Sequence, residues 1–391
     1  MKVLMIAFAY PSIYDPSLGV FFKEHARAVR IFNDVAVICC YSSPVKSQLG
    51  FNIVKKFRYI EKNEEGIRTI RLEYPRISNK VDATISFFFS LFAVFRIRRR
   101  FKFDLIHAQN FFPSGLIGYF FSKLYGIRFV ITEHSSSFNH TMRHFIRRKL
   151  ITLAAHKASQ IIAVSMYLSN SINKYYPKLS INIIANPVDT EKFSYIPMED
   201  SNRTKKHILH ISSLNQNKGV DYLIFAAKEL KHKRDDFIIN IIGGEHLYLM
   251  KKCQDLVSSL NLNSTIKILG RKSHDDIPDY LKTCDFFVLP SLRESFGVVL
   301  IEAMACGKPL VITDSGGPTE IVDEKIGIIV PAGNVGELVG AINFMLNNFQ
   351  KFDPEYIARY ARNKYGYREI GAAITKVYES ALKISINASF R

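Results

Sequence analysis

Short, continuous apolar runs alternate with longer amphipathic stretches along almost the whole chain. In the first half, residues 3–9, 35–41, 105–107, 129–132, 161–164 and 181–185 are rich in β-branched residues and bounded by Pro, Gly, Asn or Asp. Such runs read as strands covered on both faces, as in a parallel sheet. Segments such as 20–32 and 115–124 read as crossover helices between them. The second half repeats the plan, with strands at 208–212, 237–242, 266–269, 286–289, 310–313 and 327–330. Helices are expected there at 220–230, 248–260, 277–282, 298–305 and 335–347. The pattern predicts an α/β chain of two doubly wound, Rossmann-like domains in series. Periodicity fails over 186–204, which holds Pro187, Pro197 and the polar run EDSNRTKK, so the linker is expected there. Open parallel sheets bind ligands beyond the carboxyl ends of their strands, which puts the expected cleft between the domains.

Composition narrows the class. An apolar fraction of 48% over 391 residues supplies a core and argues against long disorder. The net charge of +18 favours polyanionic partners: nucleic acid, an anionic membrane surface or phosphorylated substrates. Much of it is clustered, at Arg96, Arg98, Arg99, Arg100 and Lys102, and again at Arg143, Arg147, Arg148 and Lys149. Solvated faces are the alternative for each cluster. The five cysteines have neither metal-type spacing nor an even disulfide framework, which suits reduced, buried thiols of a cytoplasmic protein. The first apolar run stops at Pro11, too short for a signal peptide, and reads as a strand. Residues 85–95 (ISFFFSLFAVF) are about half the roughly 20 needed to span a bilayer. Phe87, Phe88, Leu91, Phe92 and Phe95 followed by arginines fit an interfacial helix on anionic lipid, or else a core helix with a charged end.

The densest chemistry lies in 289–322, LPSLRESFGVVLIEAMACGKPLVITDSGGPTEIV. A strand ends at Pro290, a polar loop carries Arg293, Glu294 and Ser295, and Gly297 opens a helix. Gly307 supplies a left-handed cap and Pro309 leads into the next strand. The helix start at Gly297, Val298 and Val299 offers backbone N–H groups and a positive dipole end to a diphosphate. Glu294 precedes the helix and Glu302 lies inside it, too far apart in local spacing for an acid/base pair. They read as two acceptors for separate hydroxyl-rich parts of one ligand; a capping carboxylate plus a helix-surface glutamate is the alternative. Asp235-Asp236 and Asp275-Asp276 lack the intervening residue of a metal-binding Asp-x-Asp and read as surface pairs. No metal and no cofactor is implied.

This segment resembles the donor-binding core of the retaining GT-B glycosyltransferases of family 4, the glycogen synthase-like group. Glu294-Ser-Phe-Gly and Glu302-Ala-Met-Ala-Cys-Gly-Lys-Pro match its glutamate pair, and Ser315-Gly-Gly-Pro-Thr-Glu matches the stretch after that pair. Weaker matches are Asn186-Pro-Val-Asp-Thr-Glu-Lys-Phe193 and the segments 104–109, 161–165 and 285–290. The resemblance implies domains 1–187 and 188–365, the first rejoined by a C-terminal helix over about 366–391. It implies Glu294 at the donor sugar, Glu302 at the nucleotide ribose, and Ser295, Phe296, Gly297, Val298 and Val299 along sugar and phosphates. Gly19, in Pro16-Ser-Leu-Gly-Val, matches a glycine loop facing donor phosphate and acceptor; its lack of a Cβ leaves room for a ligand. His134 matches a histidine near the donor sugar, although a strand-end histidine taken alone is more often structural. Lys218 matches a lysine that clamps the diphosphate. The family's arginine five residues earlier is Ser213 here, which thins that clamp unless Arg293 or Arg271 compensates. Gly243, in Gly243-Gly244-Glu245, stands where a turn approaches the nucleotide or is an ordinary turn.

The implied activity is transfer of a sugar from a UDP- or GDP-sugar to a glycan or polyprenyl-phosphate-linked acceptor, with retention of configuration. Surface polysaccharide assembly, in the cytoplasm and peripherally on the inner face of the plasma membrane, would suit the basic, Phe-rich first domain. A nucleotide-sugar epimerase of the same fold is the alternative. A nucleic-acid-binding protein is less favoured, because no nucleic-acid motif accompanies the basic clusters. The intact glutamate pair argues against a catalytically silent carbohydrate-binding relative.

Overall fold

The β-branched runs form two separate sheets in the computed structural model, which describes residues 1–12, 15–43, 57–75, 79–197, 203–244 and 247–388. The chain divides into two units, Met1–Pro187 with Tyr367–Arg391, and Val188–Gly366.

The first unit opens with β1 (Lys2–Ala7), α1 (Val20–Arg30), β2 (Asp34–Ser43), β3 (Arg58–Glu64), β4 (Ile67–Pro75) and α2 (Asn79–Arg98). It continues through β5 (Leu105–Gln109), α3 (Leu116–Tyr125), β6 (Arg128–Glu133), α4 (Phe138–Thr141) and α5 (Phe145–Lys157). It ends at β7 (Gln160–Ala163), α6 (Met166–Asn173) and β8 (Ile181–Ile183). The strand order is β3-β4-β2-β1-β5-β6-β7-β8, parallel except for β3. Val3 to Ala7 are buried throughout, which is why β1 reads as an unbroken apolar run; Leu105 to Gln109 are equally buried but include His107 and Gln109.

The second unit holds β9 (Lys206–Ser212), α7 (Val220–Lys231), β10 (Phe237–Gly243), α8 (Leu247–Ser259), β11 (Ile266–Gly270), α9 (Ile277–Thr283) and β12 (Phe286–Leu289). Then follow α10 (Val298–Ala305), β13 (Leu310–Asp314), β14 (Gly327–Pro331), α11 (Val335–Asn348) and α12 (Pro354–Tyr365). Its sheet, ordered β11-β10-β9-β12-β13-β14, is parallel throughout. The long helix α13 (Tyr367–Ala388) returns to the first unit, where Ile374, Tyr378 and Ala381 join the core beside α1.

Two features depart from the sequence expectation. First, β3 and β4 form an antiparallel hairpin at the sheet edge that no apolar run announces. Arg58–Glu64 is largely solvated, and the turn is made by Glu65 and Gly66, both at positive φ. Second, the expected linker is not loose from residue 186. Val188 pairs with Gly366, and Phe193 is buried within the second unit; residues 198–202 lie outside the described residues. For α2, where the sequence left an interfacial and a core helix open, three of the phenylalanines point outward. Ser86, Ser90, Ala93, Val94 and Ile97 face the sheet, while Phe88, Phe92 and Phe95 are exposed.

Candidate active site

Among the parallel strands the order reverses between β1 and β5 in the first sheet and between β9 and β12 in the second, and ligands of such sheets collect beyond the strand ends there. In the second unit, β9 delivers Ser213 and Lys218, and β12 delivers the loop with Glu294. Backbone bonds stitch the loops together: Leu292 N donates to Asn217 O (2.7 Å), Glu294 N to Ser315 O (2.9 Å) and Gly317 N to Glu294 O (3.0 Å). Gly219 holds a left-handed φ of 63°, and a Cβ there would strike the Pro290 carbonyl. Lys218 is thereby aimed at the β12 loop, where its Nζ forms an ion pair with Glu294 Oε2. Both side chains are mostly buried, and Glu294 Oε1 accepts from Ser295 N at 3.0 Å.

Beneath Lys218 lies a neutral histidine. His210 Nδ1 donates to the Val288 carbonyl (2.9 Å), so Nε2 accepts from the Ser212 hydroxyl (2.8 Å). Burial pulls the His210 pKa down to about 4, so the only positive charge built into this corner at neutral pH is on Lys218 among the residues bonded there. Gly297 starts α10 at φ 91° with no side-chain cap, leaving the first N–H groups of the helix for a ligand. Ser295 and Phe296 are buried, while Val298 and Val299 are half-buried at that helix start.

Glu302 is buried one turn further into α10, and its Oε1 accepts from His274 Nε2 at 2.8 Å. Lys192 Nζ in turn donates to His274 Nδ1 at 2.9 Å. Ser213 is tied to its own loop, its Oγ accepting from Asn215 Nδ2 (2.8 Å). Arg271 and Arg293 are both exposed. Arg271 follows the edge strand β11, two strands from β9, or about 10 Å along the sheet. The cation brought onto Glu294 is Lys218. Gly243 ends β10 at φ 141°, where a Cβ would meet the Ser212 carbonyl; Glu245 lies outside the described residues.

In the first unit, His134 follows β6 and is almost buried. His134 Nδ1 and His25 Nε2 each lie 3.0 Å from Asn186 Oδ1, and both donate to it. His134 Nε2 is then an acceptor, 2.7 Å from Gln109 Oε1, while Gln109 Nε2 is buried without a partner. Rotating the Gln109 amide by half a turn makes it the donor and removes the orphan. Burial, and then the neighbouring His25, hold His134 well below the usual histidine range. Both ring nitrogens are thus occupied, and a sugar hydroxyl could bond to either only by displacing a partner. Gly19 caps α1 at φ 64°, and a Cβ would lie 2.5 Å from the Ala9 carbonyl. The chain's own backbone is by itself enough to require that glycine.

Two sequence profiles match the chain in tandem: "Glycosyltransferase Family 4" over residues 23–192 and "Glycosyl transferases group 1" over residues 192–364. The chain belongs to glycosyltransferase family 4. An uncharacterised glycosyltransferase of Methanocaldococcus jannaschii is 29% identical over 383 residues, 97% of this chain and 98% of that one. A human phosphatidylinositol N-acetylglucosaminyltransferase chain is 27% identical over 343 residues, 85% of this chain and 68% of that one. A crystal structure of Anabaena HepE in complex with UDP and glucose superposes with a TM-score of 0.73 at 21% identity, covering 97% of this chain and all (100%) of that one. The fold is GT-B.

In this glycosyltransferase the second unit gathers Lys218, Glu294 and Ser295 by direct bonds. Sequence reading missed four participants: His274, Lys192, Gln109 and Asn186. Lys192 and Asn186 lie inside the 186–193 motif, but no spacing signals that a lysine will reach a histidine 82 residues away. Of the residues outside this site, all five cysteines are buried and unpaired.

Proposed function

We propose that this transferase moves a sugar from a UDP- or GDP-sugar, with retention of configuration, to a glycan or polyprenyl-phosphate-linked acceptor in surface polysaccharide assembly. The observation that carries it is the Lys218–Glu294 ion pair at the switch point of the second sheet. A lysine already bound to a carboxylate exchanges that partner for an incoming diphosphate with little loss of pairing. The exchange frees Glu294 to accept from sugar hydroxyls, so donor binding and sugar orientation are coupled in one step. Lys218 and the start of α10 then stabilise the charge that develops on the departing diphosphate. The bond from the anomeric carbon to phosphate oxygen breaks and the bond to the acceptor oxygen forms on the same face. The acceptor proton passes to the departing phosphate. His134 and Gly19 of the first unit are assigned to donor sugar and phosphate on the family resemblance, His134 by exchange of Gln109 or Asn186.

The acceptor side is proposed to rest on an anionic membrane. Helices α2, α3 and α5 are neighbours on one face of the first unit, and Phe88, Phe92, Leu124, Tyr125, Phe145 and Ile146 are exposed on them. Arginines frame these rings, with Arg98 4.0 Å from the Tyr125 ring centre and Arg147 5.7 Å from that of Phe112. No helix among the described residues is long and apolar enough to cross a membrane. The human relative is named for phosphatidylinositol, itself an anionic lipid.

The test incubates the full chain with UDP-glucose, UDP-N-acetylglucosamine, UDP-galactose or GDP-mannose and polyprenyl-diphosphate N-acetylglucosamine. Proton NMR of the product should show the donor's anomeric configuration. An inverted linkage overturns retention. An epimerised donor formed without acceptor favours the epimerase instead.

A further inference from the structure

We propose that His274, held by Lys192, is the positioning residue that orients Glu302 and so makes the nucleotide pocket prefer a ribonucleotide to its 2′-deoxy counterpart. The proposal rests on the reading of Glu302 as the ribose acceptor.

The relay starts in the backbone. Asp189 Oδ1 accepts from Glu191 N (3.2 Å) and Lys192 N (3.1 Å), which fixes the turn carrying Lys192. Lys192 Nζ donates to Asp275 Oδ1 (2.7 Å) and to His274 Nδ1 (2.9 Å). An ammonium has no lone pair, so Nδ1 must be the acceptor and the ring proton must sit on Nε2. That proton is donated to Glu302 Oε1 at 2.8 Å. Phe193, itself buried, closes the stack with its ring centre 5.2 Å from that of His274.

The consequence is at the other carboxylate oxygen. With Oε1 engaged, Oε2 is the oxygen left for a ligand, and no protein group among the described residues is bonded to it. A glutamate otherwise free in three torsions becomes a fixed acceptor. Fixed, buried acceptors discriminate strongly against an analogue that lacks the matching hydroxyl, because they are then left unpaired. Without His274 the carboxylate can swing away, and the missing 2′-hydroxyl no longer matters.

The experiment is calorimetric titration of the full chain with UDP and 2′-deoxy-UDP, and with GDP and 2′-deoxy-GDP. The wild type should prefer the ribonucleotide by about tenfold or more, the size of one charge-assisted hydrogen bond. His274→Leu should cut that ratio several-fold toward unity, and His274→Gln, whose amide can donate from the Nε2 position, should restore most of it. Lys192→Met should fall between, since the ring keeps its place but loses its fixed tautomer. A merely structural His274 would lower the melting temperature and leave the ratio intact; an unchanged ratio in His274→Leu overturns the proposal. Glu302→Gln separates the two layers. If it keeps the wild-type ratio, or if the wild type has no preference, the ribose reading itself fails. If Glu302→Gln loses the ratio and His274→Leu does not, only the role of His274 fails.

Discussion

The Lys218–Glu294 pair is proposed to do two jobs, and substitutions should report both. Lys218→Met removes the charge proposed to face the departing diphosphate and is expected to lower turnover roughly 100-fold or more. Glu294→Gln keeps the shape but not the charge, and a loss of similar order is expected. Because the residues are bonded to each other, the double variant should lose less than the product of the two. Steady-state kinetics of all three proteins checks this; full activity in both single variants contradicts the site. Buried histidines set a second expectation at this scale. Burial holds His25 and His210 down to about 4, His107 to about 3, and His134 well below its usual range. Below pH 6.5 the unfolded chain takes up protons at these rings while the folded chain refuses them, so stability falls as pH drops through 6.5 toward 4. Each ring contributes roughly 1.4 kcal/mol per pH unit in that window. Glu133, raised to about 7 by burial, gains stability as pH falls from 7 toward 4.5 and offsets about one ring. Denaturation between pH 7 and 5 should show a net fall, and His107→Gln should flatten it. A flat wild-type profile would contradict the neutral assignments.

Among elements, most buried strands were legible because a strand covered on both faces has few polar positions to interrupt it. β12 and α10 were predicted to the residue. The β3–β4 hairpin was not, since its edge strand is solvated and Arg68 and Arg71 break the apolar run of β4. In α2 hydrophobicity alone left two readings open, and the small residues Ser86, Ser90 and Ala93, buried with Val94 and Ile97, mark the face that sits close to the sheet. Glycines at helix starts carry the next prediction. A methyl group at Gly19 would lie 2.5 Å from backbone atoms that cannot turn aside, at a φ of 64°. Gly19→Ala is therefore expected to destabilise the first unit by about 2–3 kcal/mol, read by chemical denaturation. An unperturbed midpoint would mean that the loop from β1 to α1 is not built as described.

At the scale of the whole molecule, the doubly wound plan and the glutamate pair around the start of α10 could be read from the sequence, whereas the polar networks could not. His274 reaching Glu302, and Asn186 joining His25 to His134, depend on side chains that only folding brings together. The exposed aromatic and basic face of α2, α3 and α5 also belongs to this scale. Wild type should co-sediment with vesicles containing anionic lipid in a salt-sensitive way. Arg98/Arg99/Arg100→Ala should weaken that association; equal absence of binding in both would remove the membrane from the picture. The most direct test of the central claim is calorimetric titration of wild type, Lys218→Met and Glu294→Gln with UDP-glucose, UDP-N-acetylglucosamine, UDP-galactose and GDP-mannose. At least one nucleotide sugar should bind the wild type, and each variant should bind it at least about tenfold more weakly. Binding of undiminished strength by both variants would contradict a donor site at Lys218 and Glu294.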